Sequence, residues 1–240
     1  MASAFFVTGT DTGVGKTFLG CALLALLEAR GRKCAPLKVA ETGCRTSPAG
    51  LFPSDAALLR YFSRCTAALE TVCPYRFEEP LAPWVAARRR GGDVELPRIR
   101  QAFETLAAEA EFVLVEGAGG FLVPLGTGST MADLCRHWRL PVLLVVGSKL
   151  GALNHTLLTV EAIERRGLPF LGYVVNFPEP GRDLAAETNV GVLRELLGSP
   201  LGVLPRAPFP LEDREEIREK LVQFAREHLD VEAFLDRLAR

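Results

Sequence analysis

The chain has 240 residues, 48% hydrophobic and 24% charged, proportions ordinary for a globular protein. Its formal net charge of -1, from 28 basic and 29 acidic residues, argues against a surface that coats nucleic acid or an anionic membrane, but leaves room for a local phosphate pocket. The length falls between one large domain and two small ones and buries a useful core without disulfides.

The N-terminus, Met1-Ala2-Ser3-Ala4-Phe5-Phe6-Val7, has no basic region and too short an apolar run for a signal peptide. No uncharged apolar stretch reaches the ~18 residues of a membrane span. The six cysteines (21, 34, 44, 65, 73 and 135) form no Cys-x-x-Cys pair, so the expectation is reduced thiols in a cytoplasmic protein without a zinc or redox motif.

In chain order, short apolar runs alternate with helical patterns. Ala4–Thr8 reads as a strand bounded by Gly9, and Thr17–Arg30 as a helix with Leu19, Leu23, Leu26 and Leu27 on one face, ending at Gly31. Cys34–Val39 is a second strand. The stretch from Pro74 to Pro83 holds three prolines and reads as loop, and Arg88-Arg89-Arg90 as a solvated helix end. Helical patterns over Pro97–Glu109, Leu153–Arg166 and Arg182–Leu197 then alternate with strand-like runs at Phe112–Val115, Val142–Val146, Phe170–Val175 and Leu201–Leu204. The runs show little polar alternation, as in strands buried on both faces. The charged, amphipathic tail from Leu211 predicts a helix pair on the outside. The pattern implies an α/β fold, a mainly parallel sheet with helices on both faces, over a single domain spanning 1–240.

The strongest local signal is Thr8-Gly9-Thr10-Asp11-Thr12-Gly13-Val14-Gly15-Lys16-Thr17, between a predicted strand and a predicted helix. This is the context of a phosphate-binding loop, in which glycines let backbone N–H groups converge on phosphate oxygens and the helix N-terminus adds its dipole. Lys16 would reach the β and γ phosphates and the Thr17 hydroxyl would ligate Mg²⁺. The spacing is a variant, Gly-x5-Gly-Lys-Thr, because Thr10 occupies the place of the usual first glycine. Phe112–Val115 delivers Glu116 at its carboxyl end, before the flexible Gly117-Ala118-Gly119-Gly120, and Glu116 thus suits a metal-holding carboxylate. Asp55 is a second acidic candidate, although Ser54 or Asp55 serves equally as a cap for the next helix. Lys38 is expected beside the phosphate loop, on the premise that the first two strands are neighbours; a solvated lysine is the alternative.

Together these residues resemble the dethiobiotin synthetase family. The matching motifs are Thr8–Thr17, Lys38 with Glu41-Thr42-Gly43, Ser54-Asp55, Pro74-Tyr75-Arg76-Phe77 with Pro80 and Pro83, Val115–Gly120, Gly147–Gly151 with Asn154-His155, Asn176, Leu201-Gly202, Pro205 and Glu212. The resemblance implies a three-layer P-loop fold. It also implies an ATP- and Mg²⁺-dependent ligase that takes CO₂ onto one amine of 7,8-diaminononanoate, phosphorylates the carbamate and closes a cyclic urea.

Carried over by resemblance, Thr17, Asp55 and Glu116 are the Mg²⁺ set. The nucleotide contacts are Gly13, Val14, Gly15, Lys16, Thr17, Phe18, Asp55, Glu116, Gly117, Ala118 and Gly119, with Asn176, Phe177, Pro205, Arg206, Ala207 and Glu212 toward the base. Lys38 is the catalytic lysine facing carbamate and γ-phosphate, and Thr12 and Thr42 are substrate contacts. Gly151 and Asn154 belong to a helix start that receives the substrate carboxylate from a partner subunit, which implies a homodimer with interfacial sites.

The sequence departs from the family pattern at Val39, where proline is usual, at Trp84, where histidine is common, and at Phe177, where aspartate is frequent. It also has no tyrosine in Gly181–Val192. A competing reading is a P-loop ATPase switch of the partitioning or cell-division-positioning kind. Those proteins carry a signature lysine where this chain has Asp11.

Overall fold

The structure is a computed structural model, and it describes residues 2–178, 181, 184–211 and 214–240. In chain order the elements begin with β1 (Ser3–Gly9), α1 (Lys16–Ala29), β2 (Cys34–Lys38), β3 (Glu41–Thr42), β4 (Arg45–Ser47), β5 (Gly50–Phe52), α2 (Ser54–Phe62), α3 (Leu69–Val72), β6 (Arg76–Phe77), α4 (Pro83–Arg89) and α5 (Leu96–Glu109). They continue with β7 (Phe112–Gly120), β8 (Pro124–Gly126), β9 (Ser129–Thr130), α6 (Met131–Trp138), β10 (Val142–Gly147), α7 (Ala152–Glu164), β11 (Phe170–Asn176), α8 (Leu184–Leu197), β12 (Gly202–Leu204), α9 (Arg214–His228) and α10 (Val231–Leu238).

The apolar runs form one six-stranded sheet in the order β12-β11-β10-β1-β7-β2, and every pairing in it is parallel. Successive side chains go to opposite faces. In β1, Phe5 and Val7 enter one core cluster while Phe6 enters another. The first face is covered by α1, α9 and α10, whose Leu19, Leu23, Leu221 and Phe234 are buried there. The opposite face is covered by α5, α6, α7 and α8. Both faces of the sheet are therefore dry, which is why its strands read as unbroken apolar runs.

Three expectations are corrected. First, β1 and β2 are not neighbours, because β7 lies between them. Strands pair through backbone N–H and C=O groups that nearly every residue carries, so local sequence does not say which strand pairs with which. Second, the proline-rich stretch holds β6, which pairs with β3 through Glu41↔Arg76 and Thr42↔Phe77; its two residues are not prolines and keep their N–H groups. Third, the terminal helices form the expected pair but are not merely external. Phe234 of α10 is 2% exposed and meets Phe5 of β1 edge-to-face, with ring centroids 5.0 Å apart. Arg218 of α9 is tied to Glu28 of α1 at 2.8 Å.

Candidate active site

The sheet brings the carboxyl ends of β1, β2 and β7 side by side. At the end of β1 the chain turns into α1 through Gly15, which takes the left-handed conformation (φ 93°) that only glycine adopts without strain. Lys16, 6% exposed, lies at the start of α1, and its ammonium donates to the Asp11 carbonyl at 3.0 Å. Burial pulls its pKa down to about 8 against the opposing pull of Glu116.

β2 ends at Lys38, in register with Glu116 of β7. Lys38 thus reaches the site across a shared pairing with β7, rather than by lying next to β1. Its ammonium donates to Asp55 Oδ2 at 2.8 Å and makes a very short contact with Glu116 Oε1. Burial opposes its charge, but the two carboxylates outweigh burial and hold the pKa above the ordinary lysine value. Asp55, at the start of α2, is pushed up by burial and pulled down further by Lys38 and the Thr17 hydroxyl, so its pKa lies below the usual carboxylate range. Neither Ser54 nor Asp55 caps α2, whose N-cap is Pro53; the Asp55 carboxylate is turned into the site instead.

Glu116 is fully buried and accepts from the Thr17 hydroxyl at 2.8 Å through Oε1, while its Oε2 has no hydrogen-bond partner. An unsatisfied buried carboxylate oxygen beside a hydroxyl and a second carboxylate is a hard-oxygen donor set that fits Mg²⁺. Among the described residues no group of three or more His, Cys, Asp or Glu side chains is placed to hold a metal by itself. Mg²⁺ needs no such cage, because it retains waters and phosphate oxygens. β7 does not stop at Val115 but runs through Gly120, so Glu116 projects from within a strand. Gly117 is required there by packing: a Cβ on it would fall 2.7 Å from the Phe6 ring.

These groups line one cleft of about 260 Å³, formed by Thr12, Gly13, Gly15, Lys16, Thr17, Lys38, Ala40, Glu41, Thr42, Asp55, Glu116, Ala118 and Gly119. A second cleft of about 630 Å³ shares Gly15 and is lined by Phe18, Asn176, Arg206, Ala207, Pro178 and Pro208–Pro210. The Asn176 side chain donates to the Val14 carbonyl at 2.8 Å, which ties the end of β11 to the phosphate loop.

Some expected contacts lie elsewhere. Phe177, 5% exposed, packs with Leu144, Val146 and Tyr173, because strand alternation turns it away from the face that Asn176 occupies. Pro205 and Gly117 line neither cleft, and the Val14 side chain packs on Gly147. Gly151 and Asn154 are exposed at the start of α7 and line neither cleft of their own chain. Glu212 lies outside the described residues. Sequence reasoning missed Glu41 as a cleft residue, and Pro178 with Pro208–Pro210 as a wall of the larger cleft; the proline run after β12 was the available signal for that wall.

A family model described as an AAA domain matches residues 3–209. A dethiobiotin synthetase of Thermodesulfovibrio yellowstonii is 40% identical over 98% of this chain and 99% of its own length. The chain belongs to the dethiobiotin synthetase family. Other relatives of that name are 48% identical in Anaeromyxobacter dehalogenans, over 85% of this chain and 90% of the relative, and 39% identical in Cellvibrio japonicus, over 97% and 98%. Among solved structures, the septum site-determining protein MinD of Pyrococcus horikoshii, complexed with Mg-ADP, superposes with a TM-score of 0.53 at 17% identity, over 98% of this chain and 94% of that one. A plasmid partition protein of Borrelia burgdorferi bound to AMPPNP gives 0.54 at 10%, over 98% and 99%. At such identities these structures establish the P-loop ATPase fold for the family member described here, and nothing of its chemistry.

Proposed function

We propose that this chain catalyses the ATP-dependent conversion of 7,8-diaminononanoate and CO₂ to dethiobiotin. Family membership makes it a ligase that forms carbon–nitrogen bonds. The observation that carries the reading is the convergence of Lys16, Thr17, Lys38, Asp55 and Glu116 on one cleft that opens at Gly15 into a second, apolar-walled one. The larger cleft suits a nucleotide base and the smaller one a triphosphate beside a small substrate.

In this reading the loop N–H groups and Lys16 hold the triphosphate. Lys38 faces both the γ-phosphate and the carbamate formed when one substrate amine takes up CO₂. Its charge offsets the repulsion between two anions that must meet. Transfer of the γ-phosphoryl group to the carbamate oxygen gives a mixed anhydride and ADP. The second amine attacks the anhydride carbon, the C–O bond to phosphate breaks, and the cyclic urea and phosphate leave. Mg²⁺, held by Thr17, Asp55 and Glu116, would supply further neutralisation of phosphate charge. Thr12 and Thr42 line the cleft, and in this reading they contact the substrate.

We read the exposed helix start at Gly151 and Asn154 as the receptor for the substrate carboxylate of a second subunit, in a cytoplasmic homodimer. Free N–H groups at a helix start suit a carboxylate, and Leu150 and Leu158 beside them are 81% and 56% exposed. Among the described residues no helix is long and apolar enough to cross a membrane.

Incubation with diaminononanoate, bicarbonate, Mg²⁺ and ATP, with mass detection of the cyclic urea, tests the reading. ADP release without that product would favour a switch ATPase instead.

A further inference from the structure

Helix α2 starts without a cap of its own. Its N-cap is Pro53, whose side chain accepts no hydrogen bond. The first-turn N–H groups of Asp55 and Ala56 donate instead to the two oxygens of Glu41, each at 3.0 Å. Glu41 is only 6% exposed and lies in β3, where its own N–H donates to the Tyr75 carbonyl at 2.9 Å. The chain between them is the β4–β5 hairpin, whose residues are mostly exposed, so it cannot by itself hold the start of α2 in place. Asp55 lies in that first turn and reaches Lys38, while Lys38 lies three residues before Glu41.

We propose that Glu41 is a positioning residue, a cap borrowed from β3 that sets the first turn of α2 so that the Asp55 carboxylate meets Lys38 and the Thr17 hydroxyl. Both Glu41 oxygens are engaged by backbone, so it holds the helix and not a ligand. The inference rests on the proposed role of Asp55 in the reaction, and it adds a residue to which none of the sequence motifs assigned a task.

The test combines hydrogen exchange of the segment 53–58 with kinetics of Glu41→Ala, Glu41→Gln and Asp55→Asn. In Glu41→Ala, exchange in that segment should accelerate about tenfold, as expected for loss of a helix cap of ordinary strength. Its kcat should fall by a similar factor while KM for ATP stays within about twofold of wild type, because the phosphate loop is untouched. Glu41→Gln retains one acceptor oxygen and should fall between, and it carries the test if the alanine variant does not fold. In an Asp55→Asn background, Glu41→Ala should cost no further kcat, since it acts through a carboxylate already removed. Unchanged exchange in Glu41→Ala, or kcat losses that multiply in the double variant, would overturn the proposal. Wild-type protein that makes no cyclic urea would overturn the proposed reaction alone, and the exchange measurement would still decide on Glu41.

Discussion

Asn176 closes over Gly15 and excludes any larger residue there: a Cβ at position 15 would fall 2.1 Å from Asn176 Nδ2. Asn176 is itself fixed by its bond to the Val14 carbonyl, so it cannot simply swing aside. The backbone at Gly15 is also left-handed. Gly15→Ala therefore combines a clash with strain of about 1–2 kcal/mol, and it falls where the two clefts meet. The expected outcome is a folded protein of lower melting temperature whose affinity for ATP drops at least about tenfold. Nucleotide titration with wild-type affinity would remove Gly15 from the wall between the clefts.

Lys16 provides the pH dependence. Its folded pKa, lowered by burial to about 8, lies below the value of about 10.4 of a solvated lysine. A depressed lysine contributes stability that is fully present above the unfolded pKa and is lost as pH falls through about 8. Bound phosphates would restore the proton. Calorimetry of ATP binding at pH 8.5, in buffers of different ionisation heat, should thus show net proton uptake, and Lys16→Met should abolish it. Equal uptake in the variant would assign the proton to another group.

Lys38→Ala removes the cation between Asp55 and Glu116 and leaves two carboxylates facing one another. Turnover should fall by about a hundredfold or more, the usual cost of losing a charge aimed at a developing anion, whereas ATP affinity should change little. Calorimetry in which ATP affinity is lost in proportion to turnover would place Lys38 among the nucleotide ligands.

Phe234→Ala tests whether the terminal helices belong to the core. The ring is 2% exposed and packs on Phe5, so its removal should cost about 3–5 kcal/mol. A denaturant midpoint within error of wild type would mean that α10 is dispensable for the fold.

The residues that make the sheet and the phosphate loop were legible in the sequence because their causes are local. Val, Leu and Phe runs become doubly buried strands at Ser3–Gly9, Phe112–Gly120 and Val142–Gly147 wherever they pair. Gly13, Gly15, Lys16 and Thr17 act through the conformation of one β–α junction. The family likeness added Lys38, Asp55 and Glu116 as a set. Tertiary structure alone decided that β7 separates β1 from β2, because strand order depends on partners far apart in sequence. It alone turned Phe177 into the core, and it alone set Glu41 under the start of α2, a bond across fourteen residues that no spacing rule anticipates. Local chemistry dictates which elements form; which side chains meet at the site is a property of packing among distant segments.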